Sequence, residues 1–177
     1  MVKKELKKLT LAATLTALSV ALDISFKVFV PTGIQFGFPF YAIPIVIGSL
    51  ILGPAYGGVM GYLSDLVGFF AFPAGFSYDP LFALSAIAWG VVPWFFAKTN
   101  SKWYRIGIAV LVAHLMATTL NTVSMGVVSG WDTAFTFLWV RAFMIPVNII
   151  IISVITYLVN TRLEPIYLDL TKKPSGI

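Results

Sequence analysis

Ile43-Pro44-Ile45-Val46-Ile47-Gly48-Ser49-Leu50-Ile51-Leu52-Gly53-Pro54-Ala55-Tyr56-Gly57-Gly58-Val59-Met60-Gly61-Tyr62-Leu63-Ser64-Asp65-Leu66-Val67-Gly68 contains a single carboxylate and no basic residue. Gly53-Pro54 divides it into two apolar segments, because glycine closes a helix and proline opens the next. A turn this short leaves the two helices adjacent. The apolar positions form continuous runs rather than amphipathic stripes, the pattern of helices whose solvent is hydrocarbon on most sides. Asp65 lies in mid-segment with no basic neighbour on its own helix, where an ionisable group is costly unless paired or turned to a polar cavity. It needs a partner from elsewhere: Arg141, His114 or the amino group of a ligand.

The same texture extends in both directions. Of 177 residues, 59% are apolar and 11% charged, outside the range of soluble domains. Proline, glycine and charge clusters delimit six apolar segments near 9–30, 35–53, 55–72, 80–97, 105–128 and 136–160. The expected fold is an all-α membrane protein, a single domain over 1–177 with six transmembrane helices in a compact bundle. Pro39, Pro44, Pro93 and Pro146 fall inside these segments and predict kinked or partly unwound helices. The basic start followed by an apolar stretch could pass for a signal peptide, but no small-residue cleavage site follows and Asp23 and Lys27 interrupt the far end. The segment reads as the first helix of the mature protein.

Orientation follows from the basic residues. Lys3, Lys4, Lys7 and Lys8, then Lys98, Lys102 and Arg105, then Arg162, Lys172 and Lys173 all lie on one side of a six-span chain. Lys27 and Arg141 alone belong near the other. Positive residues stay cytoplasmic, so both termini face inward. Five or seven spans would put the terminal clusters on opposite faces.

The external connections 31–38, 73–80 and 129–135 carry aromatics, proline and glycine, together with Asp79 and Asp132. Phe36, Phe38, Phe76, Tyr78 and Trp131 lie in or beside them. Rings there can form an interfacial belt or line a pocket in which a planar ligand stacks, with the loops as its cap. Their concentration on one side favours the pocket. Arg141, about one turn inside the external end of its helix, is a cationic fork suited to a carboxylate. Lys27 follows Asp23 by one turn, and the two can satisfy each other as an i,i+4 pair. His114, Thr118 and Asn121 share a face of the fifth helix, and Arg141 and Asn148 a face of the sixth. The two polar stripes can close a hydrogen-bonded network.

Two seams of small residues stand out. Ala13, Ala17 and Ala21 make a narrow stripe on the first helix, broadened by Ala12 and Ser19. Such a stripe admits close approach of another helix, from the same chain or from a partner. Gly53, Gly57 and Gly61, with Gly68 further on, form a second seam expected to pack internally.

Several chemistries are excluded. Without cysteine and with one histidine, disulfides, thiolate catalysis and cysteine- or histidine-based metal clusters are ruled out. No phosphate-binding loop, HExxH, nucleophile elbow or paired acidic motif is present, so the chain reads as neither an enzyme nor an ATPase and needs no cofactor or metal. The basic residues are not interleaved with polar surface as a nucleic-acid interface requires. Six short helices with no internal repeat give little basis for a self-sufficient secondary carrier, so a partner is expected to supply energy.

Three stretches together resemble the substrate-binding S component of energy-coupling factor (ECF) vitamin transporters. They are Ala13-x3-Ala17-x3-Ala21; Phe36-Gly37-Phe38 through Gly53-Pro54-x2-Gly57-x3-Gly61-x3-Asp65-x2-Gly68; and Phe72-Pro73-x-Gly75 followed by Pro80-x4-Ser85. The order of the central run is similar to the folate-type branch, as is Arg141-Ala142-Phe143-Met144-Ile145-Pro146 at the start of that branch's last helix. The resemblance implies a multi-pass protein of the bacterial cell membrane that works with a membrane scaffold (T component) and two cytosolic ATPases (A components), which bind the ATP. It implies docking of the scaffold on Ala13, Ala17 and Ala21, and a vitamin held externally by the 31–38 and 73–80 loops. Inward release would follow from toppling of the whole subunit. For a folate-type ligand, Phe36, Phe76, Tyr78 and Trp131 would stack, Asp65 or Asp79 would accept ring amino hydrogens, and Arg141 or Lys27 would meet a carboxylate. Gln35 and Tyr78-Asp79-Pro80-Leu81-Phe82 differ from the branch's usual pattern, which leaves pantothenate, pyridoxine or a hydroxymethylpyrimidine as alternatives.

Overall fold

A computed structural model describes residues 2–29, 37–73, 78–98 and 101–171. All regular structure among them is helical, with α1 at Val2–Phe29, α2 at Ala42–Leu52, α3 at Pro54–Ala71, α4 at Ala83–Val91, the single turn α5 at Pro93–Phe96, α6 at Trp103–Ser129 and α7 at Trp131–Thr171. α1, α6 and α7 are each long and apolar enough to cross a membrane. Large apolar side chains also face outward: Trp139, Phe143 and Ile150 of α7 and Phe70 of α3 are all more than 60% exposed, an apolar surface suited to lipid rather than water.

α2 is the hub. Every residue from Ala42 to Ile51 is buried, so its apolar run has no polar face because no face meets solvent. With 11 residues it is about 16 Å long, roughly half the hydrocarbon thickness. The expected span 35–53 is therefore only partly helical. Pro39 precedes the helix, and Pro44 sits in its first turn, where a missing N–H costs nothing. Gly53 then takes φ +98°, a conformation without a Cβ penalty only for glycine, and Pro54 opens α3.

Span 80–97 is divided as proline demands, into α4 and α5 with Pro93 at the start of the second piece. Pro146, by contrast, is absorbed inside α7, which continues for 41 residues. At about 61 Å this helix is twice the membrane core in length, and it overruns the expected end at 160. Gly130, at φ +91°, folds it back against α6.

The two small-residue seams have opposite fates. Gly57 and Gly61 lie against the main chain of α4: a Cβ on Gly57 would strike the Gly90 carbonyl, and one on Gly61 the Ala86 carbonyl. The glycine seam is internal as expected, with α4 as its partner. Ala13, Ala17 and Ala21 are all exposed. The buried face of α1 is instead Ala12, Leu15 and Ser19, with the Ser19 hydroxyl donating to the Tyr41 carbonyl at 2.7 Å. Ala12 and Ser19 thus belong to the inner face rather than to the alanine stripe.

Gly61→Val is expected to cost about 3 kcal/mol, because two contacting main chains cannot yield to a side chain. The midpoint of thermal unfolding in detergent should fall accordingly. Gly107→Ala, where a Cβ meets nothing within 4 Å, should leave it unchanged.

Candidate functional site

Beside the start of α2, four elements enclose a small cavity of about 30 Å³, lined by Pro39, Tyr41, Trp89, His114, Ala117, Thr118, Asn121 and Arg141. That is well below the roughly 300 Å³ at the lower end of the usual range for small-molecule sites. The lining mixes the rings of Tyr41, Trp89 and His114, the Thr118 hydroxyl, the Asn121 amide and the Arg141 cation.

The polar stripes of α6 and α7 meet behind it. The Asn148 side chain, fully buried, donates through Nδ2 to the Gly37 carbonyl and contacts His114 Nε2 at 3.1 Å. Reversing the amide would set Oδ1 against a carbonyl oxygen, so the orientation is fixed by chemistry. Nε2 of His114 is then the acceptor, and the imidazole proton resides on Nδ1, 3.1 Å from Thr118 Oγ1. Trp89 packs against the imidazole at 5.3 Å with an interplanar angle of 62°. Arg141, 3% exposed, extends Nη1 to within 3.5 Å of Thr122 Oγ1, whose own proton goes to the Thr118 carbonyl. The network orients a cation at the cavity wall and joins it to the turn at Gly37.

Asp23, Lys27 and Asp65 form a second charged group. Asp23 and Lys27 form the expected pair at 2.5 Å, and the Asp23 carboxylate occupies the space that a Cβ on Gly68 would need. Asp65 stands beside Lys27, Asp23 and Tyr78. Its neighbours are thus neither Arg141 nor His114. Burial, with Asp65 alongside, pushes the Tyr78 phenol up to about 12, so it stays protonated and able to donate.

The residues expected from sequence separate accordingly. Arg141 lines the cavity, whereas Asp65 and Tyr78 belong to the acidic group and do not line it. Phe38 stacks on Phe40 at 5.6 Å, and Phe26 meets Phe40 edge-on at 4.7 Å, an aromatic cluster next to the cavity-lining Pro39 and Tyr41. Asp79 accepts the Leu81 N–H at 2.9 Å, a local turn contact before α4. Trp131 covers Gly126 at the α6–α7 turn and is 52% exposed, outside the cavity lining. Phe36 and Phe76 lie outside the described residues. Tyr41 and Trp89 were not anticipated. The available signal was a polar-tipped or bulky ring inside an otherwise aliphatic segment.

An all-helical bundle with apolar membrane-length helices and an inward polar network defines a multi-pass membrane protein. The family model described as "ECF transporter, substrate-specific component" matches residues 7–160, and the chain belongs to that family. It is also 31% identical over 144 residues to the folate transporter FolT of Clostridium novyi (strain NT), a match covering 77% of this chain and 82% of that protein.

Asn148→Ala is expected to destabilise the protein by about 1–3 kcal/mol, because a buried carbonyl and a buried imidazole nitrogen both lose their donor. Asn148→Asp should be worse, since it presents an anion to the Gly37 carbonyl. Thermal unfolding monitored by the emission of Trp89 and its fellow tryptophans measures both.

Proposed function

We propose that this chain is the vitamin-binding subunit of an ECF-type importer in a bacterial cell membrane, with folate as its substrate. The observation that carries the reading is the likeness to a folate transporter along most of both chains, within a family of substrate-specific components. In the proposed topology six segments cross the membrane, both termini are cytoplasmic, and the external loops cap the pocket. A membrane scaffold and two ATPases supply the ATP-driven step. The vitamin enters from outside and is released inward when the subunit topples.

The arrangement of charge supports the substrate. Folate carries amino groups on a flat heteroaromatic ring at one end and carboxylates at the other. The Arg141 fork lines the cavity, and the carboxylates of Asp65 and Asp23 form a separate group with Lys27. In this reading Trp89 and Tyr41 stack on the ligand, and Arg141 binds a carboxylate bidentately. Phe36, Phe38, Phe76 and Tyr78 close over the ring from the loops. The exposed alanines of α1 support a docking role, because no helix of this chain covers them.

Binding by the purified chain, followed by quenching of its five tryptophans, tests the substrate. Folate should bind at micromolar concentration or below, ahead of pantothenate, pyridoxine and hydroxymethylpyrimidine. Arg141→Ala should weaken folate binding at least 100-fold, in keeping with loss of about 3 kcal/mol from a charged hydrogen bond. Absence of binding by any vitamin overturns the reading. Uptake into proteoliposomes by this chain alone, driven by an ion gradient, would make it a secondary carrier.

The docking role has its own test. Ala17→Trp should abolish co-purification with scaffold and ATPases and leave vitamin binding intact.

A further inference from the structure

The cavity is too small for a vitamin. Its volume of about 30 Å³ is roughly the share of a single water molecule in the liquid, so a larger ligand is admitted only where a wall moves. Three of the four walls are held. Trp89 stands on α4, whose main chain bears directly on that of α3. His114, Thr118 and Asn121 stand on α6 and Arg141 on α7, and the Asn148–His114 contact ties those two helices together. The fourth wall is Pro39 and Tyr41, carried by residues 37–41 ahead of α2.

This segment has a shape of its own. The Phe40 N–H donates to the Phe38 carbonyl at 3.0 Å and the Ala42 N–H to the Pro39 carbonyl at 2.9 Å. Asn148 holds its beginning at the Gly37 carbonyl. Ser19, fully buried, holds its end through the Tyr41 carbonyl at 2.7 Å, and Phe26 of the same helix lies against Phe40. α1 therefore supports the one wall that the other helices leave free to shift.

The Ser19 bond is built to be exchanged. α1 carries five hydroxyls, and Thr10, Thr14, Thr16 and Ser25 each donate to the carbonyl four residues back on the same helix. Ser19 alone among them reaches to another element. A change of χ1 offers its hydroxyl the Leu15 carbonyl instead, the bond that its four neighbours already make. Tyr41 is the N-cap residue of α2, whose carbonyl also serves the first bond of its own helix. Breaking the link thus leaves no buried donor unmet. Asn148 differs, because it serves the Gly37 carbonyl and His114 together and its withdrawal would strand both.

We infer that Ser19 is a releasable pin that holds the pocket contracted. Folate binds once the hydroxyl has returned to its own helix and residues 38–41 have swung away from Trp89 and Arg141, with the Gly37 end fixed by Asn148. The inference rests on the vitamin reading of this pocket. It makes Ser19 a positioning residue that opposes entry, so its removal should help the ligand in, the reverse of what the loss of a supporting contact does.

Stopped-flow quenching of the tryptophans by folate, on the purified full chain, tests this. In the unmodified chain the observed rate should level off as folate rises, at the rate of wall opening. Ser19→Ala should raise the apparent association rate about five-fold, since the net loss of one hydrogen bond enlarges the open fraction by that factor. Ser19→Cys, similar in shape and only a weak donor, should do the same and serves as the test if alanine destabilises the chain. Thr14→Ala, which removes an α1 hydroxyl bonded to its own helix, should change the rate by less than about two-fold. A rate that climbs linearly with folate throughout overturns the inference without any variant. Unchanged or slower association in both Ser19 variants, at a normal thermal midpoint, also overturns it and makes Ser19 a plain support. Failure of the unmodified chain to bind folate at all is a distinct result, which overturns the vitamin reading and this inference with it.

Discussion

Hydrocarbon offers no hydrogen bonds, and the whole arrangement of this protein answers to that constraint. Polar side chains that would face outward in water are turned inward here. Along α7 the buried face reads Arg141, Asn148, Thr156 and Asn160, while Trp139, Phe143 and Ile150 of the same helix look out. The Asn148 amide shows what inward polarity accomplishes. By serving the Gly37 carbonyl and the His114 ring together, it connects the non-helical approach to α2 with the two longest helices after α1. A single side chain thereby ties the irregular backbone to the regular one at membrane depth.

Irregular backbone is tolerated there because it is enclosed. α2 is too short to cross the bilayer alone, and the residues before it, Phe38 to Tyr41, are packed beneath Phe26 and beside Ser19. The cavity opens at this place, where helix gives way to loop and carbonyl groups become available to side chains. The Asp23 carboxylate is engaged by Lys27.

Much of this was legible in the sequence, for identifiable reasons. Long apolar runs and the Gly53-Pro54 turn declared the helices, and the i,i+4 spacing of Asp23 and Lys27 declared their pair. The spacing of His114, Thr118, Arg141 and Asn148 also predicted that two stripes would meet, since polar residues inside a span seek one another. What spacing alone does not encode is which helix lies opposite which. The partner of the glycine seam, the company of Asp65 and the entry of Tyr41 and Trp89 into the cavity all depend on tertiary neighbours. Prolines were partly misread for the same reason. Pro44 and Pro93 sit at helix starts, where they fit, and Pro146 is carried within a long helix whose neighbours hold it.

The meeting of Gly57 and Gly61 with Gly90 and Ala86 has a mechanical meaning. Elsewhere in the bundle, helices touch through side chains that can change rotamer and absorb a push. Between α3 and α4 the main chains bear on each other directly, and there is nothing between them to rearrange. A force applied to one helix is passed to the other undiminished, as in any close-packed solid. Asp65 on α3 and Trp89 on α4 are therefore held at a fixed separation.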